Sequence, residues 1–296
     1  MQELKGSFVA LVTPMKSNGV IDLPALKELV EWHIESGTHG VVSVGTTGES
    51  ATLNFNDHVK VLEKTISYID NKIIAIAGTG DNSTDEAIEL NKAASSIGYE
   101  FALSVTPYYN KPTQMGLEAH YKKIADSSEI KNILYNVPSR TACDLKPDTV
   151  NKLINHENIV GIKEAVNDPS RYKALIEIAN NSSEPFYVLS GDDPTFFDFM
   201  KSGGHGVISV AANVIPAKVA EIAISCLNGN FEGAKEINQR YKNLFELLFI
   251  ESNPIPVKWM LKKMSKIDSG IRLPLTQLQE KNHASIEDEM LKFKLL

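Results

Sequence analysis

The sequence predicts an α/β protein, a TIM (β/α)8 barrel with a small C-terminal helical appendage. Three observations predict it. Eight short apolar runs alternate with longer amphipathic segments from residue 6 to about residue 225. These β-then-α units recur at intervals of roughly thirty residues, which predicts a parallel sheet with right-handed crossovers. The first run ends in Val12-Thr13-Pro14. An open doubly wound sheet would carry a glycine-rich phosphate loop there, so that alternative loses weight. Eight units close a barrel of about 200 to 250 residues.

The strand-like runs are 6–12, 40–44, 73–77, 101–105, 132–135, 159–163, 186–190 and 206–210. Helical spacing lies between them. Leu26, Leu29, Val30 and His33 form one stripe, with Asp22 as N-cap and Pro24 in the first turn. Ser83 precedes a helix and Glu86 follows three residues on, a capping-box pattern. Ala87, Leu90, Ala93 and Ala94 form the stripe of that helix. Beyond residue 225 the pattern turns helical, with apolar residues at helical spacing over 231–250. Ser252-Asn253-Pro254-Ile255-Pro256 is a rigid break. Pro256 suits the first turn of a helix holding Val257, Trp259, Met260 and Leu261. The expected division is a catalytic barrel over 1–225 and a docked helical region over 226–296.

The chain has 296 residues, is 43% hydrophobic and carries a formal net charge of −7. A full-sized core can be buried at this length. The lysines and arginines are scattered, which argues against nucleic acid as a partner, because phosphate neutralisation needs a basic face. The basic stretch 258–266 reads as a solvated helix face. Cys143 and Cys226 lie far apart in no paired motif. Few cysteines and a start unlike a signal peptide predict a cytoplasmic protein. No apolar run approaches the roughly twenty residues that span a bilayer, so no membrane partner is expected.

In a barrel, function sits at the C-terminal ends of the strands. Lys163 closes the apolar run Ile159-Val160-Gly161-Ile162. Burial there disfavours the ammonium and makes the amine a nucleophile near neutral pH. That is Schiff-base chemistry. A lysine that snorkels to water is the plain alternative. The other strand ends carry Gly45-Thr46-Thr47-Gly48-Glu49-Ser50, Thr106-Pro107-Tyr108-Tyr109, Tyr135-Asn136-Val137-Pro138-Ser139-Arg140-Thr141 and Ser190-Gly191-Asp192-Asp193. Turn, packing and surface roles would each explain one of these segments; a shared rim with a strand-end lysine favours a site. No metal is expected: the seven histidines are dispersed, and only His58 and His205 fall near predicted rim loops. Asp192-Asp193 before Pro194 reads as a helix start.

Gly45-Thr46-Thr47-Gly48-Glu49, Tyr135 to Thr141 and Gly161-Ile162-Lys163-Glu164-Ala165 resemble the pyruvate-dependent class I aldolase family that includes N-acetylneuraminate lyase. The resemblance covers nearly the whole chain, including 252–258 and Arg272-Leu273-Pro274-Leu275. It implies an imine between Lys163 and pyruvate, then attack of the derived enamine on aspartate semialdehyde. Tyr135 would be the acid/base group, linked through Thr46 to Tyr109, which in this family enters from a neighbouring subunit. Thr47 would bind the pyruvate carboxylate, largely through its backbone, and Arg140 would hold that of the semialdehyde. Gly191 and Ile208 would line the pocket. No organic cofactor is implied, since the lysine supplies the electrophile. The resemblance further implies a homotetramer, a dimer of dimers. It also implies an L-lysine inhibitor site at Ser50, Ala51, His58, Asn82, Glu86 and Tyr108. Phe55 departs from that pattern, because inhibited relatives usually carry histidine there.

Two other readings follow the same residues. One is a sister aldolase acting on a sugar acid such as N-acetylneuraminate or 2-keto-3-deoxygluconate, against which Arg140 speaks. The other is a keto-acid or amino-acid sensor without turnover. A sensor has no need of a proton relay beside a lysine.

Overall fold

The computed structural model describes residues 2–296 and closes eight parallel strands into one barrel in chain order. From β1 (Gly6–Ala10) the chain runs through α1 (Leu23–Glu35), β2 (Gly40–Ser43), α2 (Phe55–Ile69), β3 (Ile74–Gly78), α3 (Thr84–Ile97) and β4 (Phe101–Val105). It continues through α4 (Gln114–Ala125), β5 (Lys131–Asn136), the short α5 (Pro138–Thr141), α6 (Pro147–Leu153), β6 (Ile159–Glu164) and α7 (Pro169–Asn180). Then come β7 (Tyr187–Ser190), α8 (Phe196–Lys201), β8 (Gly206–Ser209) and α9 (Pro216–Leu227). The C-terminal region adds α10 (Phe231–Leu247), α11 (Ile255–Lys263) and α12 (His283–Lys292). Closure is direct, with Phe8 of β1 in register with Ile208 of β8.

All eight expected strands are present, and their ends shift by a residue or two. The first run is shortened most. Leu11 still bonds Val42, but Val12 donates instead to the Asn213 side chain, which lifts the chain out of the ladder. Asp22 caps α1 and Ser83 caps α3, as the sequence predicts. In the α3 stripe, Asn91 is buried where Ala93 is only partly so. The division expected at residue 225 falls inside α9, which covers the barrel's last unit and ends at Leu227.

Two apolar layers hold the fold. Phe8, Val42, Ile76, Phe101, Ile133 and Leu189 fill the barrel interior. A larger cluster packs the helices on the outer faces of the strands and takes in α10 and α11 through Leu244, Phe245, Val257 and Leu261. Parallel strands buried on both faces read as continuous apolar runs, which is why they are visible in the sequence.

The basic stretch 258–266 is not a uniformly solvated face. Lys262 and Lys263 are exposed, but Lys258 is buried. Its ammonium pairs with the buried Glu49 carboxylate and donates to the Thr13 carbonyl at 3.0 Å. The other Glu49 oxygen accepts from the Arg272 backbone N–H at 3.0 Å. A charge at helical spacing looks solvated until its partner, 209 residues away, is known.

Candidate active site

Lys163 and Tyr135 stand side by side because β5 and β6 pair with these two residues in register. Both are next to last in their strands, at the C-terminal end of the barrel. The Lys163 ammonium lies 4.3 Å from the centroid of the Tyr135 ring. Burial lowers the Lys163 pKa to about 7. The buried Asp193 carboxylate opposes that shift, and the Arg140 guanidinium adds to it. The amine is therefore substantially neutral at physiological pH. Burial also raises the Tyr135 phenol, an effect partly countered by Arg140 and the nearby Thr46 side chain. Tyr135 thus keeps its proton at neutral pH and is available to donate it.

Gly191, just after β7, lies against the lysine. A Cβ at this position would stand 2.9 Å from Lys163 Cε, so any side chain would push the lysine aside. Asp193 follows two residues later. It does not cap a helix: α8 begins at Phe196, and the Asp193 carboxylate instead crosses to the end of β8. There it accepts from the Ser209 hydroxyl at 2.5 Å and from the backbone N–H groups of Val210 and Ala211 at 2.9 and 3.0 Å. Asp192 does not cap α8 either: Thr195 is its N-cap, without a side-chain cap bond, and Asp192 accepts from the Thr195 hydroxyl at 2.5 Å.

The loop after β2 brings Thr46 and Thr47 to the same place under strain. Val44 is buried with φ at 55°, a left-handed conformation that a β-branched residue rarely adopts. Gly78 makes the conformation possible, because a Cβ there would meet the Val44 carbonyl oxygen at 2.2 Å. The Thr13 hydroxyl holds the loop from the other side by donating to the Gly48 carbonyl at 2.7 Å. Thr47 is buried, and its hydroxyl accepts from the Asn253 side-chain amide at 2.9 Å.

These groups line a cavity of about 340 Å³ that holds Thr46, Thr47, Tyr135, Arg140, Lys163 and Gly191 on its walls. Ile208 is not among its lining residues. It is buried in the barrel interior, and Val210, one step beyond β8, lines the wall above it. Ile208 and Val210, two residues apart, share the inward face by strand alternation. Tyr109 also stands apart from this cavity. Its side chain is 86% exposed, and its backbone is held at φ 74°.

A second cavity, about 840 Å³, adjoins the first and shares Thr46, Val137, Arg140 and Asn253 with it. Ser50, Ala51, His58, Asn82, Glu86 and Tyr108 all line it, together with Phe55. His58 donates to the Gly78 carbonyl at 2.8 Å, and Tyr108 donates to the Asp81 carboxylate at 3.1 Å. Asp81 also accepts from the Ser83 backbone N–H, the bond a capping box would assign to Glu86. The Glu86 carboxylate is thereby released from the cap. His205 is remote from both cavities: it precedes β8 at the opposite end of the barrel and packs on Tyr187. Among the described residues, no group of three metal-ligating side chains gathers.

Sequence reading missed Asp193, Asn253 and Lys258 as parts of the site or its frame. Asn253 had a visible signal, since it sits in the rigid break before a helix. Nothing local distinguishes the other two.

A buried lysine with its pKa lowered to about 7 beside a proton-bearing tyrosine, at the C-terminal mouth of a (β/α)8 barrel, is the arrangement suited to Schiff-base chemistry on a carbonyl, as in lyases of the class I aldolase type. The particular family is settled by comparison: the chain belongs to the dihydrodipicolinate synthetase family, whose model matches residues 3–292. The 4-hydroxy-tetrahydrodipicolinate synthase of Teredinibacter turnerae is 50% identical over 287 residues, 97% of this chain and 98% of that protein. The crystal structure of a chloride-inhibited dihydrodipicolinate synthase from Acinetobacter baumannii, complexed with pyruvate, matches with a TM-score of 0.97 at 48% identity, covering 99% of this chain and all of that one. A dihydrodipicolinate synthase from Cyanidioschyzon merolae with lysine bound matches with a TM-score of 0.95 at 35% identity, covering 100% of both chains.

Proposed function

We infer that this chain condenses pyruvate with L-aspartate 4-semialdehyde to give 4-hydroxy-tetrahydrodipicolinate, a committed step of diaminopimelate and L-lysine biosynthesis. The observation that carries the reading is Lys163, buried, largely neutral and 4.3 Å from the Tyr135 ring, in a chain about half identical to synthases of this activity. The sugar-acid and sensor readings are not favoured.

Neutral Nζ of Lys163 adds to the keto carbon of pyruvate, and water leaves to form a protonated imine. The imine draws electrons, so the methyl carbon loses a proton and becomes an enamine. The enamine carbon attacks the semialdehyde aldehyde, forming the carbon–carbon bond while the carbonyl oxygen takes a proton. The substrate's amine then displaces Lys163 from the imine, closes the ring and frees the enzyme. Tyr135 supplies and retrieves protons, with Thr46 as its link. Thr47 holds the pyruvate carboxylate and Arg140 the semialdehyde carboxylate, for which a guanidinium fork is suited. Tyr109, 86% exposed, serves a neighbouring subunit's relay, so the active unit is at least a dimer and, by the resemblance, a tetramer. The larger cavity takes L-lysine, with Glu86 for an ammonium and Asn82 and Tyr108 for the carboxylate.

Turnover of pyruvate with L-aspartate 4-semialdehyde tests the reading, run beside N-acetylmannosamine and glyceraldehyde as rival aldehydes. Arg140→Ala should mainly impair use of the semialdehyde and leave imine formation with pyruvate intact. Faster turnover of a sugar aldehyde, or equal loss of both steps in the variant, contradicts it.

A further inference from the structure

Asn253 occupies an unusual place. It comes from the C-terminal region, yet it is 5% exposed and borders both cavities. Its side-chain N–H donates to the Thr47 hydroxyl at 2.9 Å, and its backbone carbonyl accepts from Arg140 Nη2 at 3.4 Å. One residue thus touches the two groups assigned to the two substrate carboxylates. The segment that carries it is held firmly, because α11 begins two residues later and its Lys258 is paired with Glu49. Glu49 itself lies two residues after Thr47.

We propose that Asn253 is a positioning residue that orients the Thr47 hydroxyl toward the carboxylate of the keto acid. The inference rests on the condensation reading above. The direction of the hydrogen bond carries it. An amide N–H can only donate, so the Thr47 oxygen accepts, and the hydroxyl proton is left to donate elsewhere. The open side of Thr47 is the cavity that holds Lys163. A carboxylate there receives a fixed donor rather than a rotor that must be oriented on binding. Asn253 touches no substrate in this arrangement; it acts through Thr47.

Two substitutions separate this role from simple packing. Asn253→Ala removes the donor and lets the Thr47 hydroxyl rotate. Asn253→Asp keeps the shape but reverses the bond: the carboxylate accepts, takes the hydroxyl proton and places a negative charge near the keto-acid carboxylate. Steady-state kinetics should therefore show KM for pyruvate rising about tenfold in Asn253→Ala, the scale of one charge-assisted hydrogen bond, and further in Asn253→Asp. KM for the semialdehyde should change less in Asn253→Ala, because the backbone carbonyl facing Arg140 remains. In a Thr47→Val background, Asn253→Ala should add little, since the group it acts through is gone. A packing role predicts the reverse order, with the isosteric Asn253→Asp the milder change. An unchanged pyruvate KM, Asn253→Asp milder than Asn253→Ala, or full additivity with Thr47→Val overturns the proposal. The parent protein, trapped with pyruvate and borohydride in parallel, tells this failure from failure of the condensation reading: an adduct on the parent leaves that reading standing.

Discussion

Lys163 shows how position alone can lower an amine's affinity for its proton. Removing an ammonium from water raises its free energy, and one pKa unit corresponds to about 1.4 kcal/mol between protonation states. Burial lowers Lys163 from 10.5 to about 7, with Asp193 preventing a deeper fall. The sign of the pH dependence follows. Below pH 7 the amine is mostly protonated and cannot add to a carbonyl; above it the amine is mostly free. The rate of imine formation with pyruvate should rise through about pH 7 and level off. Stopped-flow or timed borohydride trapping checks this, and a rate still climbing toward pH 10 would mean a solvated lysine. Lys163 was legible in the sequence because strand ends are local features. Asp193 was not, because its partners Ser209, Val210 and Ala211 lie in the next β/α unit. For Ile208, strand alternation gives the inward face, but alternation alone does not give its depth in the barrel.

At the scale of elements, the C-terminal helices brace the loops around the cavities. Lys258 of α11 is buried against Glu49, and Asn253 just before α11 holds Thr47. Arg272 extends the brace by donating to the carbonyls of Gly19 and Thr52 and to the Asp57 carboxylate. Removing one partner of a buried pair leaves an uncompensated charge. Lys258→Ala should therefore lower stability by about 3–5 kcal/mol in urea unfolding. Lys27→Ala, at an exposed pair with Glu31 on α1, should change it by less than about 1 kcal/mol. Equal effects would refute the bracing role. The strands were legible because parallel strands buried on both faces are continuous apolar runs. Lys258 was not, since a lysine at helical spacing looks the same whether it meets solvent or Glu49.

At the scale of the whole molecule, the eightfold period was enough to predict closure, and closure brings eight strand ends to one rim. That convergence makes residues as far apart as Ala10 and Leu275 neighbours around two adjoining cavities. No described helix is long and apolar enough to cross a membrane. The six positions expected to take L-lysine do share a single cavity, with Phe55 on its wall. An apolar ring there offers no polar contact to the ligand, so inhibition should be weak to moderate. Activity titrated with L-lysine should fall in the millimolar range; a flat response would remove this site from the enzyme's regulation. Tyr109, 86% exposed, lines neither of the two cavities.

The most direct measurement is borohydride reduction in the presence of pyruvate, followed by intact and peptide mass spectrometry. A single reduced pyruvyl adduct on Lys163 is the predicted result, absent from Lys163→Ala. No adduct on the folded protein, or an adduct on another lysine, would contradict Schiff-base catalysis at this site.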